Sequence, residues 1–397
     1  MPRTDRKRLV ALALSGGGAR AMAFHLGCFR ALHDRGLLDR IQVVSSVSGG
    51  SVLAACWAYR GEDFESFDLH MVSLLRHGIK GHIVRELFCS TEGLKIVATL
   101  LATFGVSMVT RLAGLALRIL RATISLPTAN LEAALYATAR KVPVWASLTT
   151  AFERSLRRHL FGDATVDQVK RRGLTTIINA CDLKTGTAFR FGSRKSGGWR
   201  YGDIQGDKVS VAKAVAASAA FPILLPPLVE SFRFEKGADA SAQTVVLTDG
   251  GVFDNLGVAV LEPGRAHDYA FSETVTHLIS LNAGGGQFDV AAAHPYWWGA
   301  RVVRSFEAVY RKAQDAVYQR LHKYAEVGDL DAFGMVYLGQ QDSKLPWAPA
   351  DFVTREQVKD YPTDFSPMSE ENIRLLTTRG EQLTHIIVEQ YLADLTV

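Results

Sequence analysis

The feature that most constrains this chain is a doubled unit near its start: a short apolar run, a glycine- or serine-rich turn, then a helical pattern. Leu9–Leu14 runs into Ser15-Gly16-Gly17-Gly18, and residues 19–35 then carry Ala23, Leu26, Cys28, Phe29 and Leu32 at helical spacing before Gly36. Ile41–Val44 repeats the pattern, followed by a Ser/Gly turn and an apolar helix from Val52 to Tyr59. Strands separated by helices pair in parallel with helical cover, so the expected class is α/β with a mostly parallel sheet. Further strands are expected at Thr175–Asn179, Phe189–Phe191, Val245–Leu247 and Thr276–Leu281, and helices at Val209–Ala219, 300–325 and 369–394. Residues 62–160 break the rhythm and read as consecutive helices. Without an internal repeat or long linker, residues 1–397 read as one domain carrying a 62–160 helical insertion.

Composition narrows the function classes. A hydrophobic share of 48% with 21% charged residues suits a globular chain with a sizeable core. The formal charge of +5 is spread without a dense Lys/Arg block, so no nucleic-acid partner is expected. The four cysteines (Cys28, Cys56, Cys89, Cys181) lie far apart with no metal-ligand spacing, and read as reduced thiols. Neither a metal nor a cofactor is expected. The basic start (Arg3, Arg6, Lys7, Arg8) precedes an apolar run of only six residues, too short for a signal peptide, so a cytoplasmic location is expected.

The sharpest local signal is Val43-Val44-Ser45-Ser46-Val47-Ser48-Gly49-Gly50-Ser51-Val52. A strand that turns abruptly into a helix puts Ser48 at the apex, exposing its hydroxyl beside the helix's first amides. The residues two before and two after must be small; here they are Ser46, in place of the usual glycine, and Gly50. The plainer reading is a Ser/Gly turn that caps a helix. The loop Ser15-Gly16-Gly17-Gly18-Ala19-Arg20 offers exposed N–H groups that fit either a phosphate or the oxyanion of an acyl-transfer transition state. A dinucleotide loop is disfavoured because no acid stands near the end of the second strand, and no Gly-Lys-Ser/Thr follows for a phosphate loop. Arg20 either steadies the loop or is a solvated charge. A serine nucleophile needs a proton acceptor. None of the eleven histidines stands in a triad-like motif, and His25 reads as structural. Asp249, at the end of a strand and before Gly250-Gly251, is the better base, against the plainer reading of an Asp-Gly turn.

With these residues in view, the chain resembles the patatin-like phospholipases, including the cytosolic phospholipase A2 type. Gly16-Gly17-Gly18-Ala19-Arg20 resembles the family's oxyanion loop and Ser46-Val47-Ser48-Gly49-Gly50 its nucleophile elbow. Ala217-Ser218-Ala219-Ala220-Phe221-Pro222, with Pro226-Pro227, resembles a supporting block, and Asp249-Gly250-Gly251-Val252-Phe253-Asp254-Asn255 resembles the block bearing the catalytic aspartate. The resemblance covers residues 9–60 and 175–260. It implies a three-layer α/β/α fold, a Ser48–Asp249 dyad and an acyl-serine intermediate. It also implies an oxyanion hole from Gly16, Gly17, Gly18 and Gly49, with Arg20, Gly50, Gly250, Gly251 and Asn255 in support. The expected activity is hydrolysis of fatty acyl esters of phospholipid or lysophospholipid. A thioesterase, a neutral lipase, or a non-catalytic lipid-binding or scaffolding protein on the same fold are the alternatives.

From Gly93 to Leu131 there is no acidic residue, and the uncharged run Ile96–Thr110 spans 15 residues, short of a bilayer-crossing helix. Ser107, Arg111, Gly114, Arg118, Arg121 and Ser125 then form a narrow polar stripe on an otherwise apolar helix. Three placements fit residues 94–126: peripheral contact with a membrane, a lid over the site, or a core helix.

Overall fold

The computed structural model describes residues 7–124, 130–131, 134, 146–206, 208–222, 224–264, 274–286 and 298–395. Strand β1 (Val10–Leu14) leads through the glycine loop into α1 (Gly18–Asp34), and β2 (Val43–Val47) through the serine turn into α2 (Gly49–Arg60). Helices α3 (Phe64–His77), α4 (Lys80–Cys89), α5 (Thr91–Ile124) and α6 (Leu148–Leu156) follow. The parts of the expected insertion at 125–129, 132–133 and 135–145 lie outside the described residues. Next come β3 (Thr175–Asp182), β4 (Thr187–Gly192), β5 (Ser196–Gly198), β6 (Gly202–Ile204), α7 (Val211–Ser218), β7 (Leu228–Lys236) and β8 (Asp239–Asp249). The chain ends with β9 (His277–Asn282), α8 (Trp298–Val327), β10 (Ala332–Tyr337) and α9 (Glu370–Tyr391).

The sheet order is β10-β9-β1-β2-β3-β4-β5-β6-β7-β8, with β3 also pairing with β8. From β10 to β3 every pairing is parallel; from β3 onward every pairing is antiparallel, and the β3–β8 contact closes that half on itself. The expectation of a mostly parallel sheet is therefore corrected to a mixed sheet. The cause is connection length: β3 to β4, β4 to β5, β5 to β6 and β7 to β8 are joined by tight turns, which permit only antiparallel pairing. The parallel half is covered on both faces. Along β1, Val10, Leu12 and Leu14 join a core shared with α1, α2 and α9, while Leu9, Ala11 and Ala13 meet Leu321 of α8 and residues 256–261.

This topology sets the site. The strand order reverses between β1 and β9, which leaves a crevice at the carboxyl ends of the parallel strands. Both Ser15–Gly18 and the turn after β2 stand at that end.

Candidate active site

Register explains how two residues 201 apart in sequence (249 − 48) meet. Strand β3 pairs Val47 with Asn179 and Asp249 with Ala180. Thus β2, running one way, and β8, running the other, end head to head on consecutive residues of β3. Ser48 immediately follows the last residue of β2, and Asp249 is the last of β8. This brings the two side chains to one place, where the Ser48 hydroxyl is near enough to the buried Asp249 carboxylate to pull its pKa down.

Ser48 has φ 52° and ψ −122°, and is the only non-glycine with positive φ among the described residues. Backbone of this kind costs energy and persists only where its surroundings enforce it. Here a hydroxyl cluster does so. The Ser48 N–H donates to Ser218 Oγ (3.0 Å), Ser51 Oγ lies 2.9 Å from Ser218 Oγ, and Ser51 Oγ donates to Ser46 Oγ (3.1 Å). Ser46 thus fits the tight turn and also belongs to this cluster. Asn179 Nδ2 donates to the Ser46 carbonyl (3.0 Å) and to Ser45 Oγ (2.9 Å), holding the strand beneath. Ser218 serves both halves of the site, because its carbonyl also accepts from Gly250 N (3.1 Å). Neither Ser218 Oγ nor Asn179 stood out in sequence as a direct partner of the elbow, since hydroxyl and amide partners leave no spacing signal.

The two glycine segments interlock. Gly17 (φ 142°) and Gly18 (φ 56°) occupy backbone that side-chain-bearing residues avoid. A Cβ on Gly49 would lie 2.2 Å from the Gly18 carbonyl oxygen, and one on Gly50 would lie 2.6 Å from that of Ser15. Nothing larger than glycine lets α2 rest on the loop so closely. Gly16 differs from the expected role: its N–H donates to the Asn255 carbonyl (3.0 Å) and is not free for an oxyanion. It instead permits close approach, since a Cβ there would stand 3.2 Å from Ser48 Cβ and 2.4 Å from Asn255 Oδ1. The N–H groups of Gly17, Gly18 and Gly49 make no hydrogen bond among the described residues.

Asp249 is 3% exposed, and burial pushes its pKa up to about 6, against the pull of the Ser48 hydroxyl and of a hydrogen bond from Gly251 N (2.7 Å). A buried carboxylate of this kind is a stronger base than one in water. Tyr310, unremarked in sequence, lines the same space. A Cβ on Gly251 would meet its hydroxyl at 3.3 Å, and burial with the nearby Asp249 charge pushes its pKa well up, so it stays a neutral phenol. Arg20 donates to the Tyr361 carbonyl (2.9 Å), tying α1 to the strap before α9; Ala19 N, bonded to the Asp364 carbonyl (2.6 Å), does the same. His25 is buried and neutral, its pKa pushed down to about 3 by burial. All four cysteines are free thiols.

Among the described residues one cluster has metal-ligand composition: Asp34, Glu381 and His385, whose ligand atoms lie within 4.8 Å of one another. It sits at the far end of α1 from the glycine loop, and Arg35 Nε donates to His385 Nδ1 (2.8 Å), placing a guanidinium beside it. It takes no part in the serine site.

Fold and site together define a class: an α/β protein holding a strained serine at a strand-to-helix elbow against a buried aspartate. Residues 12–261 match the patatin-like phospholipase family, and the chain belongs to that family. Among solved structures it is similar to VipD from Legionella pneumophila (15% identity, TM-score 0.36, covering 97% of this chain and 67% of that one). It is also similar to human GIVD cytosolic phospholipase A2 (14% identity, TM-score 0.49, 99% and 63%). A third is the type III effector protein ExoU (15% identity, TM-score 0.32, 97% and 53%), known in Pseudomonas aeruginosa. The chain thus spans about two thirds or less of the length of these proteins. No curated protein matches it in sequence.

Proposed function

We propose that the protein is a lipid acyl hydrolase of the phospholipase A or lysophospholipase type, working through a Ser48–Asp249 dyad. The observation that carries this reading is the juxtaposition, on consecutive residues of β3, of a strained, elbow-held serine and a buried carboxylate with a raised pKa. Asp249 takes the hydroxyl proton as Ser48 Oγ attacks the ester carbonyl. The N–H groups of Gly17, Gly18 and Gly49 face the oxyanion as the tetrahedral intermediate forms, each such donor contributing on the order of 10²-fold or more in rate. The C–O bond breaks, the alcohol leaves with the proton from Asp249, and an acyl-serine remains. Water then gives its proton to Asp249, attacks the acyl carbon, and releases the fatty acid while Ser48 regains its proton.

The substrate class brings a membrane with it. Residues 94–126 are proposed as the peripheral contact; from Leu94 to Ile119, α5 carries large apolar side chains at its surface, while the side chains of 120–124 and residues 125–126 lie outside what is described. The free thiols and this contact fit a protein working at the cytoplasmic face of a membrane.

Fatty-acid release from a panel of phospholipids and lysophospholipids tests the chemistry. Ser48→Ala and Asp249→Asn, each folded by circular dichroism, are expected to lose release, and a fluorophosphonate is expected to label Ser48. Full release by either variant would remove that residue from the mechanism.

A further inference from the structure

Helix α5 is built inside out for a protein in water. Its covered stripe holds one large apolar residue, Ile96, and otherwise polar and small ones: Glu92, Gly93, Thr99, Thr110 and Gly114 are buried there. Its outer face holds the large apolar ones. Leu94 (74% exposed), Leu101 (69%), Phe104 (72%), Met108 (52%), Leu112 (58%) and Ile119 (54%) all face outward. At ~100° per residue these stack along one side, and with their exposed apolar neighbours they cover about half the circumference over ~39 Å of helix. The segment Thr91–Ile119 has a mean hydropathy of 1.7 in its most apolar stretch, of which 17% is buried.

Three observations identify what covers this face. First, the hydroxyls along the helix are turned back on its own carbonyls: Thr99 to Lys95 (2.8 Å), Thr103 to Thr99 (2.7 Å) and Thr110 to Val106 (2.8 Å). That arrangement satisfies these three threonine hydroxyls within the helix, as an apolar medium requires. Second, the face is wider than the ~100° stripe that packs against a neighbouring protein element, so one partner helix would leave part of it wet. A hydrocarbon surface covers all of it. Third, the charges are arranged as a collar. At the foot, buried Glu86 and Glu92 pair with Arg154 (3.1 and 3.5 Å) and Lys95 with Glu92 (2.9 Å), fixing the first turn of α5 to α6. Beyond them the exposed charges among the described side chains of α5 are Arg111 and Arg118, long enough to reach headgroups beside the apolar face.

We infer that α5 is a hydrophobic anchor whose exposed face sinks into the acyl layer of a lipid surface, and that this insertion, more than attraction to anionic headgroups, holds the protein there. The inference rests on the membrane contact proposed above and specifies its mode: of the polar stripe, Gly114 is buried and Ser107 half-buried while Arg111 and Arg118 are exposed, so the exposed face of α5 is mainly apolar with two cations beside it. Its foot leads toward the site. Thr149 of α6 donates to the Pro226 carbonyl, α6 packs on α7, and α7 carries Ser218, which holds the Ser48 amide.

Vesicle flotation of the full chain tests it, using neutral phosphatidylcholine vesicles and vesicles with added phosphatidylserine, at low and at molar salt. Binding to neutral vesicles is expected, falling less than about threefold at molar salt, because insertion is not screened. The exposed triple variant Leu101→Ser, Phe104→Ser, Leu112→Ser is expected to lose at least about tenfold in binding. Arg111→Gln with Arg118→Gln is expected to lose less than about threefold. Binding only to anionic vesicles, abolished by salt or by the arginine variant, would overturn the insertion while leaving the membrane contact standing. Absence of binding to any vesicle would overturn both. A triple variant that binds as wild type but has lost a dimer seen by size exclusion would overturn it in favour of a second copy as the occupant. Hydrolysis of a short-chain soluble ester, expected to be unchanged in the triple variant, separates all these outcomes from failure of the Ser48 chemistry.

Discussion

At the residue scale, two groups carry stored cost, and each can be measured. Ser48 sits at φ 52° without being glycine. Ser48→Ala and Ser48→Gly both delete the hydroxyl and its influence on Asp249, so their difference isolates the backbone. The glycine variant relieves strain of roughly 1–3 kcal/mol but gains about 0.5–1 kcal/mol of unfolded-state entropy. It is therefore expected to be the more stable of the two by about 0.5–2 kcal/mol in urea unfolding. An alanine variant of equal or greater stability would show that the elbow is relaxed. Asp249 stores its cost as desolvation, with a folded pKa raised from 3.8 to about 6. Because the folded pKa lies above the unfolded one, the folded state favours the proton. Its stability contribution is full below about 4 and is lost as pH rises through about 6. Ionised at pH 7.5, the buried group costs up to roughly 3 kcal/mol. Asp249→Asn should then melt higher than wild type at pH 7.5 and converge on it near pH 4.5; a constant gap across that window would contradict the raised pKa. Catalysis has the opposite sign: the base must be ionised, so kcat/KM for a soluble ester should rise with pH to a plateau, with a midpoint near 6. A profile flat from pH 5 to 8 would remove Asp249 as the base.

At the element scale, the catalytic end depends on a helix pair that touches backbone to backbone. A Cβ on Gly27 of α1 would lie 1.9 Å from the Thr377 carbonyl oxygen of α9, and one on Gly380 of α9 would lie 2.2 Å from that of Phe24. Both positions hold ordinary helical backbone, so the requirement is proximity and not conformation. Gly27→Ala or Gly380→Ala must push the helices apart, at a cost of about 1–3 kcal/mol or more, read as a lower midpoint in chemical denaturation. Gly36→Ala, with nothing within 4 Å of its added Cβ, is the comparison: its φ of 64° brings strain but no clash. If Gly27→Ala melted like wild type, the close crossing would be refuted. This contact also shows what sequence could and could not reveal. The elbow, the glycine loop and the Asp-Gly-Gly turn were legible because a tight turn leaves its residue types side by side. The helices at 300–325 and 369–394 were legible from periodicity, and the structure has them as Trp298–Val327 and Glu370–Tyr391. Strands β5 and β6 are three residues each, too short for alternation to register, and β10 reads Ala-Phe-Gly-Met-Val-Tyr, with a glycine in mid-strand. Strand β7 does alternate, with Leu228, Phe232 and Phe234 buried, but Pro226-Pro227 directly before it interrupt the pattern that would announce a strand. Missing these strands made the sheet look mostly parallel. The polarity of α5 was legible; which side faced the protein was not, because periodicity defines faces but not what lies against them.

At the scale of the whole molecule, the family match ends at residue 261, yet the fold does not. Strand β1 lies between β2 and β9, pairing with both in parallel, Leu14 standing beside Ser46 on one side and Leu281 on the other. The glycine loop inherits this: Ser15 N donates to the Leu281 carbonyl (3.0 Å), and Ala283 N to Ser15 Oγ (2.9 Å). The C-terminal third is itself drawn together by Arg379, whose fully buried guanidinium donates to the carbonyls of Leu338 (2.8 Å), Val353 (2.7 Å) and Gln340 (2.8 Å) and pairs with Asp342 (2.9 Å). Residues outside the matched region therefore complete both the sheet and the glycine loop. A chain ending at Leu261 would leave β1 as an edge strand with an unpaired row of amides, and would strip α9 from α1 and α8 from the opposite face. We expect such a chain to be insoluble or to lack a cooperative thermal transition. Arg379→Met in the full chain should show a milder form of the same failure: it leaves several buried carbonyls unsatisfied, at about 1–3 kcal/mol apiece before relaxation. Should residues 1–261 alone melt cooperatively and be labelled by a fluorophosphonate at Ser48, β9 and β10 would be additions to a self-sufficient enzyme. The paired registers on β1 argue that they are an integral flank of its sheet.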